Sequence, residues 1–312
     1  MLVALASIAI GAKALSLDQV WHGLFHDTGR YGDVVVDERL ARTVLGLLAG
    51  AALGLSGAVL QALTRNPLAD PGLLGINAGA SAAVVTAITY FGVTSLTGYV
   101  WFAFVGAAAV GALVWFLGGS RGATPVRLAL AGTAISAALY GYLQAVMIMD
   151  DAALGKMRFW TVGSLASATN STILQVLPFL AVGTILALGL ARPLNAVAMG
   201  DDTARALGAN LNRTRALAML AATVLCGAAT AACGPIVFVG LMVPHVVRSF
   251  TGPDLRWILP YATVLSPVLL LGADVIGRVV ARPSELQVGI VTAIIGGPVF
   301  IFLVRRRRTA QL

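Results

Sequence analysis

The chain has 312 residues, of which 58% are hydrophobic before its 35 glycines are counted, and only 34 are charged. A soluble domain is about 45–50% apolar with Gly included and about a quarter charged, so a soluble enzyme, a disordered chain and a coiled coil are excluded. The net charge of +8 does not indicate nucleic acid, because the basic residues are scattered between long apolar runs with no aromatic-interleaved basic face.

A membrane-spanning helix needs about 20 mostly apolar residues. Reading apolar runs between polar or Pro/Gly breaks gives ten spans: 1–18, 41–63, 72–92, 97–118, 124–149, 172–192, 214–233, 236–249, 256–280 and 287–304. The first has no basic segment ahead of it, so it reads as a retained span rather than a cleaved signal peptide. The stretch 19–40 is polar and mixed in charge and reads as a long outer loop. Its His22, His26 and Asp27, interleaved with aromatic residues, read as an interfacial amphipathic turn rather than a metal site.

In the second span Gly46, Gly50, Gly54 and Ala58 recur every four residues, a spacing that lets helix backbones approach closely in lipid. Cys226 and Cys233 lie seven apart in one apolar run and read as small buried hydrophobes, with no C-x-x-C beside them. The eighth run follows Gly234-Pro235 and is short for a full crossing, and His245 after Pro244 reads as a structural turn. Between the sixth and seventh spans, residues 193–213 form the longest inner loop. Within it Gly200, Asp201, Asp202, Thr203, Ala204, Arg205, Ala206, Leu207 and Gly208 predict a short amphipathic helix bounded by glycines, with acids at its start.

Orientation follows from the basic residues. With both termini in the cytoplasm, thirteen of the 21 Lys and Arg fall on inner segments, the cluster Arg305 to Arg308 most heavily. Neither lysine, Lys13 or Lys156, sits in a G-x-x-x-x-G-K-[ST] phosphate loop, so ATP-driven work must come from a partner. Asp274 and Arg278 are the ionisable pair within a span, spaced i, i+4 so that they neutralise each other. An ion-coupled secondary transporter, the competing class, needs further buried acids and inverted repeats.

Five blocks then become recognisable together. They are Gln61 to Ser81, with Arg65-Asn66-Pro67-Leu68-Ala69-Asp70-Pro71 at its centre; Phe159-Trp160-x-x-Gly163-Ser164-Leu165; and Gly200-Asp201-x-x-Ala204-Arg205-x-Leu207-Gly208. They continue with Gly234-Pro235-Ile236 through Pro244-His245-x-x-Arg248, and with Gly272-Ala273-Asp274 through Arg278 to Glu285-Leu286 and Gly296-Gly297-Pro298. In this order the chain resembles the FecCD family, the permease subunits of ATP-binding-cassette (ABC) importers for iron-siderophores, haem and cobalamin. Two departures stand out: Ala41 and Gln287 occupy positions where the family usually has Pro.

The resemblance implies an all-α polytopic membrane protein of about ten transmembrane helices with the type II ABC importer permease fold, one permease domain over residues 1–312. It implies a bacterial cytoplasmic (inner) membrane location, a second permease subunit in a homodimer or homologous heterodimer, two ATPase subunits and an external substrate-binding protein. The implied cargo is a ferric siderophore, with haem or cobalamin as the alternative. No cofactor is expected in this chain, ATP and magnesium belonging to the partner ATPase. Arg39, Arg42 and Arg278 match family arginines that receive glutamates of the binding protein, a role suited to the planar guanidinium fork. The segment Gly200 to Gly208 matches the coupling helix that seats in the ATPase, with Ala204 and Leu207 at the contact and Asp201, Asp202 and Arg205 at its rim. Asn77, Thr133 and Ser136 are the polar candidates for the translocation path.

Overall fold

A computed structural model of the chain describes residues 1–11, 15–25, 31–119 and 125–309. Helices follow one another in the order α1 (Leu2–Ala9), α2 (Leu17–Phe25), α3 (Tyr31–Thr64), α4 (Ile76–Phe91), α5 (Leu96–Gly119), α6 (Pro125–Met149) and α7 (Asp151–Trp160). They continue with α8 (Asn170–Gly189), α9 (Ala191–Ala198), α10 (Asp201–Ala206), α11 (Leu211–Cys233), α12 (Val239–Thr251), α13 (Leu255–Val280) and α14 (Val288–Thr309). There is no strand among the described residues. Several starts carry the expected side-chain caps: Asp150 on α7, Thr169 on α8, Asn210 on α11 and Asp254 on α13.

Among the described residues six helices are long and apolar enough to cross a membrane: α3, α5, α6, α8, α11 and α13. Helix α4 and the Val288–Phe302 part of α14 are apolar but shorter. In α3 and α11, 78% of the apolar window is buried, against 17% in α6, so the first two form the centre and α6 lies at the periphery. The small-residue stripe explains how α3 reaches its neighbour α13. A Cβ on Gly50 would stand 2.7 Å from the Pro267 Cα, so any side chain there would drive the helices apart.

Three expectations need correction. The first run forms an eight-residue helix that ends at an extended Ile10; at 1.5 Å per residue it rises about 12 Å, well short of a hydrocarbon core of about 30 Å. The expected outer loop at 19–40 is largely helical, in α2 and the first part of α3. The 34 residues of α3 span about 50 Å, so the helix outruns the bilayer. Buried Val36 and the His22 Nδ1 contact to Asp33 at 3.2 Å show why: the polar residues lie on one face of a helix that packs on α2. His26 and Asp27 lie outside the described residues. His245 belongs to no turn, because α12 continues through Pro244 to Thr251; at 13 residues it has the shortness read from the sequence.

Candidate functional site

The start of α3, the end of α13, the segment before α14 and helix α1 meet at one end of the bundle. Asp274 sits there with no exposure, between two guanidiniums. Arg42 donates to its Oδ2 from Nε at 3.1 Å and to its Oδ1 from Nη2 at 2.7 Å, and Arg278 Nη2 lies 3.0 Å from Oδ2. Arg42 also donates through Nη1 to Glu285 at 2.7 Å. Arg278 donates to the Ser7 carbonyl and hydroxyl, and Arg39 donates to the Ile8 and Ala9 carbonyls. Arg282 adds a bond to the Gly11 carbonyl at 2.6 Å.

The structure thus brings Arg39, Arg42 and Arg278 together, as their common assignment requires, but it does not leave them facing outward. They are 7%, 9% and 1% exposed, because the chain's own acids and carbonyls take up the donors. The pairing of Arg278 with Asp274 read from the i, i+4 spacing is present; the partners Glu285 and Ser7 were not legible. Among the described residues four guanidiniums share this cluster with two carboxylates, Asp274 and Glu285, an excess of positive charge.

At the opposite end of α3, Gly200 (φ 114) and Gly208 (φ 78) bound the predicted short helix, which is α10. A residue with a side chain is strained at such φ values, so these glycines define where the helix starts and stops. Asp201 accepts two bonds from Arg215 Nη2, both at 2.8 Å, and one from Arg65, which also donates to the Val197 carbonyl at 2.8 Å. Burial alone would raise the Asp201 carboxyl, yet the bonds from Arg65 and Arg215 hold it below the usual carboxylate range. Asp202 and Arg205 pair with each other at the surface. Ala204, expected at a partner contact, is instead fully buried against Val197 and Leu211; Leu207 is the residue of the pair left outside, at 64% exposure.

The same end is braced a second time. Asn195 donates to Asp254 at 2.7 Å and accepts from the Leu255 N–H, tying α9 to the start of α13. The Arg256 side chain, its backbone N–H and the Asn195 amide hold the Asp254 carboxyl far below its ordinary value.

The three path candidates separate. Asn77 is buried, its Oδ1 accepting from the Thr230 hydroxyl at 2.9 Å and from the Cys226 thiol, so it joins α4 to α11 rather than lining an opening. Cys226 and Cys233 are both free and buried, in keeping with their reading as small hydrophobes. Thr133 lines a cavity of about 300 Å³ with Thr64, Asn66 and Asp70. Asp70 caps the 3₁₀ turn Pro71–Leu74, and burial pushes its carboxyl up to about 6 against the opposing Gly72 N–H bond. Ser136 stands over Gly75, where α4 begins, with no hydrogen-bond partner for its buried hydroxyl among the described residues. No group of three or more metal-ligating side chains occurs among the described residues.

Comparison with known proteins covers the whole of this architecture. The ferric enterobactin transport system permease protein FepD of Escherichia coli (strain K12) is 48% identical over 96% of this chain and 91% of its own length. The hemin transport system permease protein HmuU of Yersinia pestis is 38% identical over 99% of this chain and 93% of its own. A solved metal-chelate-type ABC transporter in an inward-facing conformation superposes with a TM-score of 0.87 at 28% identity, covering 98% of this chain and 96% of that one. The model of the FecCD transport family matches residues 1–306, and the chain belongs to that family of permeases.

Proposed function

We propose that this chain is the translocation subunit of an ATP-driven importer for ferric siderophores. The observation that carries the reading is the family match over residues 1–306, joined to 48% identity with a ferric enterobactin permease. The hemin permease among its relatives makes haem the alternative cargo within the same machine. Reconstitution with its partner ATPase and binding protein, followed by uptake of labelled ferric siderophore, haem and cobalamin, tests the assignment. Uptake of ferric siderophore alone is expected; preferential uptake of haem or cobalamin overturns it.

In this reading the six long apolar helices, with the shorter α4, α12 and α14, form one transmembrane domain that pairs with a second permease subunit in the cytoplasmic membrane. The C-terminus lies inside, and two ATPase subunits bind the end that carries α10. The positive-inside bias supports that orientation. The purified chain is expected to hydrolyse no ATP, with or without magnesium, since its lysines lack a phosphate loop. A malachite-green phosphate assay that tracks with this chain through purification would overturn that expectation.

The arginine cluster at the other end is the proposed seat of the binding protein. Its net positive charge supports this, although Glu285 already holds the accessible edge of Arg42. A docking carboxylate must therefore displace Glu285, whose side chain is one-third exposed, while Asp274 stays in place. Glu285→Gln should accordingly tighten capture of the binding protein about threefold to tenfold and steepen its salt dependence, as for a rim charge pair. Unchanged or weaker capture in surface plasmon resonance would move the docking site elsewhere.

A further inference from the structure

Gln61 opens one of the recognisable sequence blocks and Pro244 lies in another, and the two meet where α3 packs on α12. Within α12, Pro244 has no N–H to give to the carbonyl four residues back, that of Gly240. That carbonyl does not face water. It is pressed against α3, where a Cβ on Gly57 would collide with it, and a buried carbonyl of this kind requires a donor from elsewhere in the protein.

Gln61, one turn beyond Gly57 on the same face of α3, supplies the donor. Its Nε2 carries two hydrogens, one donated to the Leu241 carbonyl at 2.9 Å and the other facing the Gly240 carbonyl at 3.5 Å. The side chain is buried, and its Oε1 has no hydrogen-bond partner among the described residues. Turning the amide over would set that oxygen against two carbonyls, so α12 dictates which way the amide points. One turn further along, Arg65 holds Asp201 of α10 and the Val197 carbonyl. The inner end of α3 therefore grips α12 through Gln61 and α10 through Arg65, while α12 goes on to pack against α13 and α14.

We propose that Gln61 is a positioning residue of the transport cycle: its amide fastens α12 to the part of α3 that holds α10, so that displacement of α10 carries α12 with it. This role presupposes the importer reading and the ATPase contact at α10. A side chain that merely completes the hydrogen bonding of α12 differs from one that ties α12 to α3 in a measurable way. Pro244→Ala returns an N–H to position 244, which satisfies the Gly240 carbonyl within α12 but makes no link to α3.

The assembled importer in proteoliposomes, with its binding protein and the ferric siderophore that the parent transports, separates the two. Gln61→Met keeps the length of the side chain and removes the amide. It is expected to lower the unfolding midpoint of the permease and to reduce uptake about tenfold, the upper scale of one neutral hydrogen bond, while the complex hydrolyses ATP near the parent rate. Adding Pro244→Ala should return the midpoint to that of Pro244→Ala alone, yet leave uptake about tenfold below that of Pro244→Ala. Recovery of uptake together with the midpoint assigns Gln61 to the stability of α12 and overturns the positioning role, as does parent-like uptake in Gln61→Met. If Gln61→Met prevents assembly, the comparison of the double variant with Pro244→Ala decides, and a double variant that also fails to assemble overturns the role. A parent complex that moves no ferric siderophore overturns the importer reading instead.

Discussion

Asp274→Ala is expected to be the most destabilising single substitution at the outer end of the bundle. The carboxylate has no exposure and neutralises Arg42 and Arg278 at once, at 2.7 Å and 3.0 Å. Removing it leaves Arg278 with no carboxylate and only the Ser7 oxygens, and Arg42 with Glu285 alone, and breaking a buried ion pair from one side costs about 3–5 kcal/mol. The loss should appear as a lowered unfolding midpoint of the detergent-solubilised chain and a smaller amount of protein in the membrane. A second change separates charge stranding from simple cavity formation. Arg278→Met in the Asp274→Ala background removes one stranded cation, so the double variant should recover part of the lost stability; additive losses would show that Arg278 is satisfied by Ser7 alone.

What could be read from the chain without coordinates divides along local and long-range lines. The Gly46 to Ala58 stripe, the Gly200 and Gly208 boundaries of α10 and the short α12 are local features, set by spacing and by the conformations that glycine permits, and they were legible. The pair of Asp274 with Arg278 was legible for the same reason, four residues apart on one helix. Glu285 on Arg42 is 243 positions away and Asp201 on Arg65 is 136, so no periodicity points to either. A weaker signal did exist. Arg215 opens a span in apolar sequence and must find a counter-charge when buried, and Asp201 and Asp202 are the acids closest to it in the chain. The helical start of α3 was hidden by composition: Asp33, Asp37, Glu38 and Arg39 suggest a loop until Val36 is seen packed beneath them. Ala204 was misplaced because amphipathicity identifies an apolar face without saying whether that face meets this chain or a partner. Here it meets Val197 and Leu211.

That correction sharpens the prediction for the inner end. With Ala204 consumed inside the chain, Leu207 is the apolar side chain that α10 presents outward, beside the exposed pair of Asp202 and Arg205. The six-residue helix is held to α3 and α11 through Asp201, so a push on Leu207 reaches both central helices without being absorbed by slack in the loop. Leu207→Asp buries an unpaired charge in the proposed ATPase contact, at a cost of about 2–4 kcal/mol for a residue central to an interface. Uptake should then be abolished, while the exposed position leaves the permease itself inserted, folded and able to capture its binding protein. Asp201→Ala tests the other half of the lever. It keeps Leu207 but removes the acceptor that Arg65 and Arg215 share, so the ATPase should still bind while substrate-stimulated ATP hydrolysis no longer drives uptake. An intact ATPase complex with normal transport in Leu207→Asp would place the coupling surface on the neighbouring inner segment between Arg248 and Arg256.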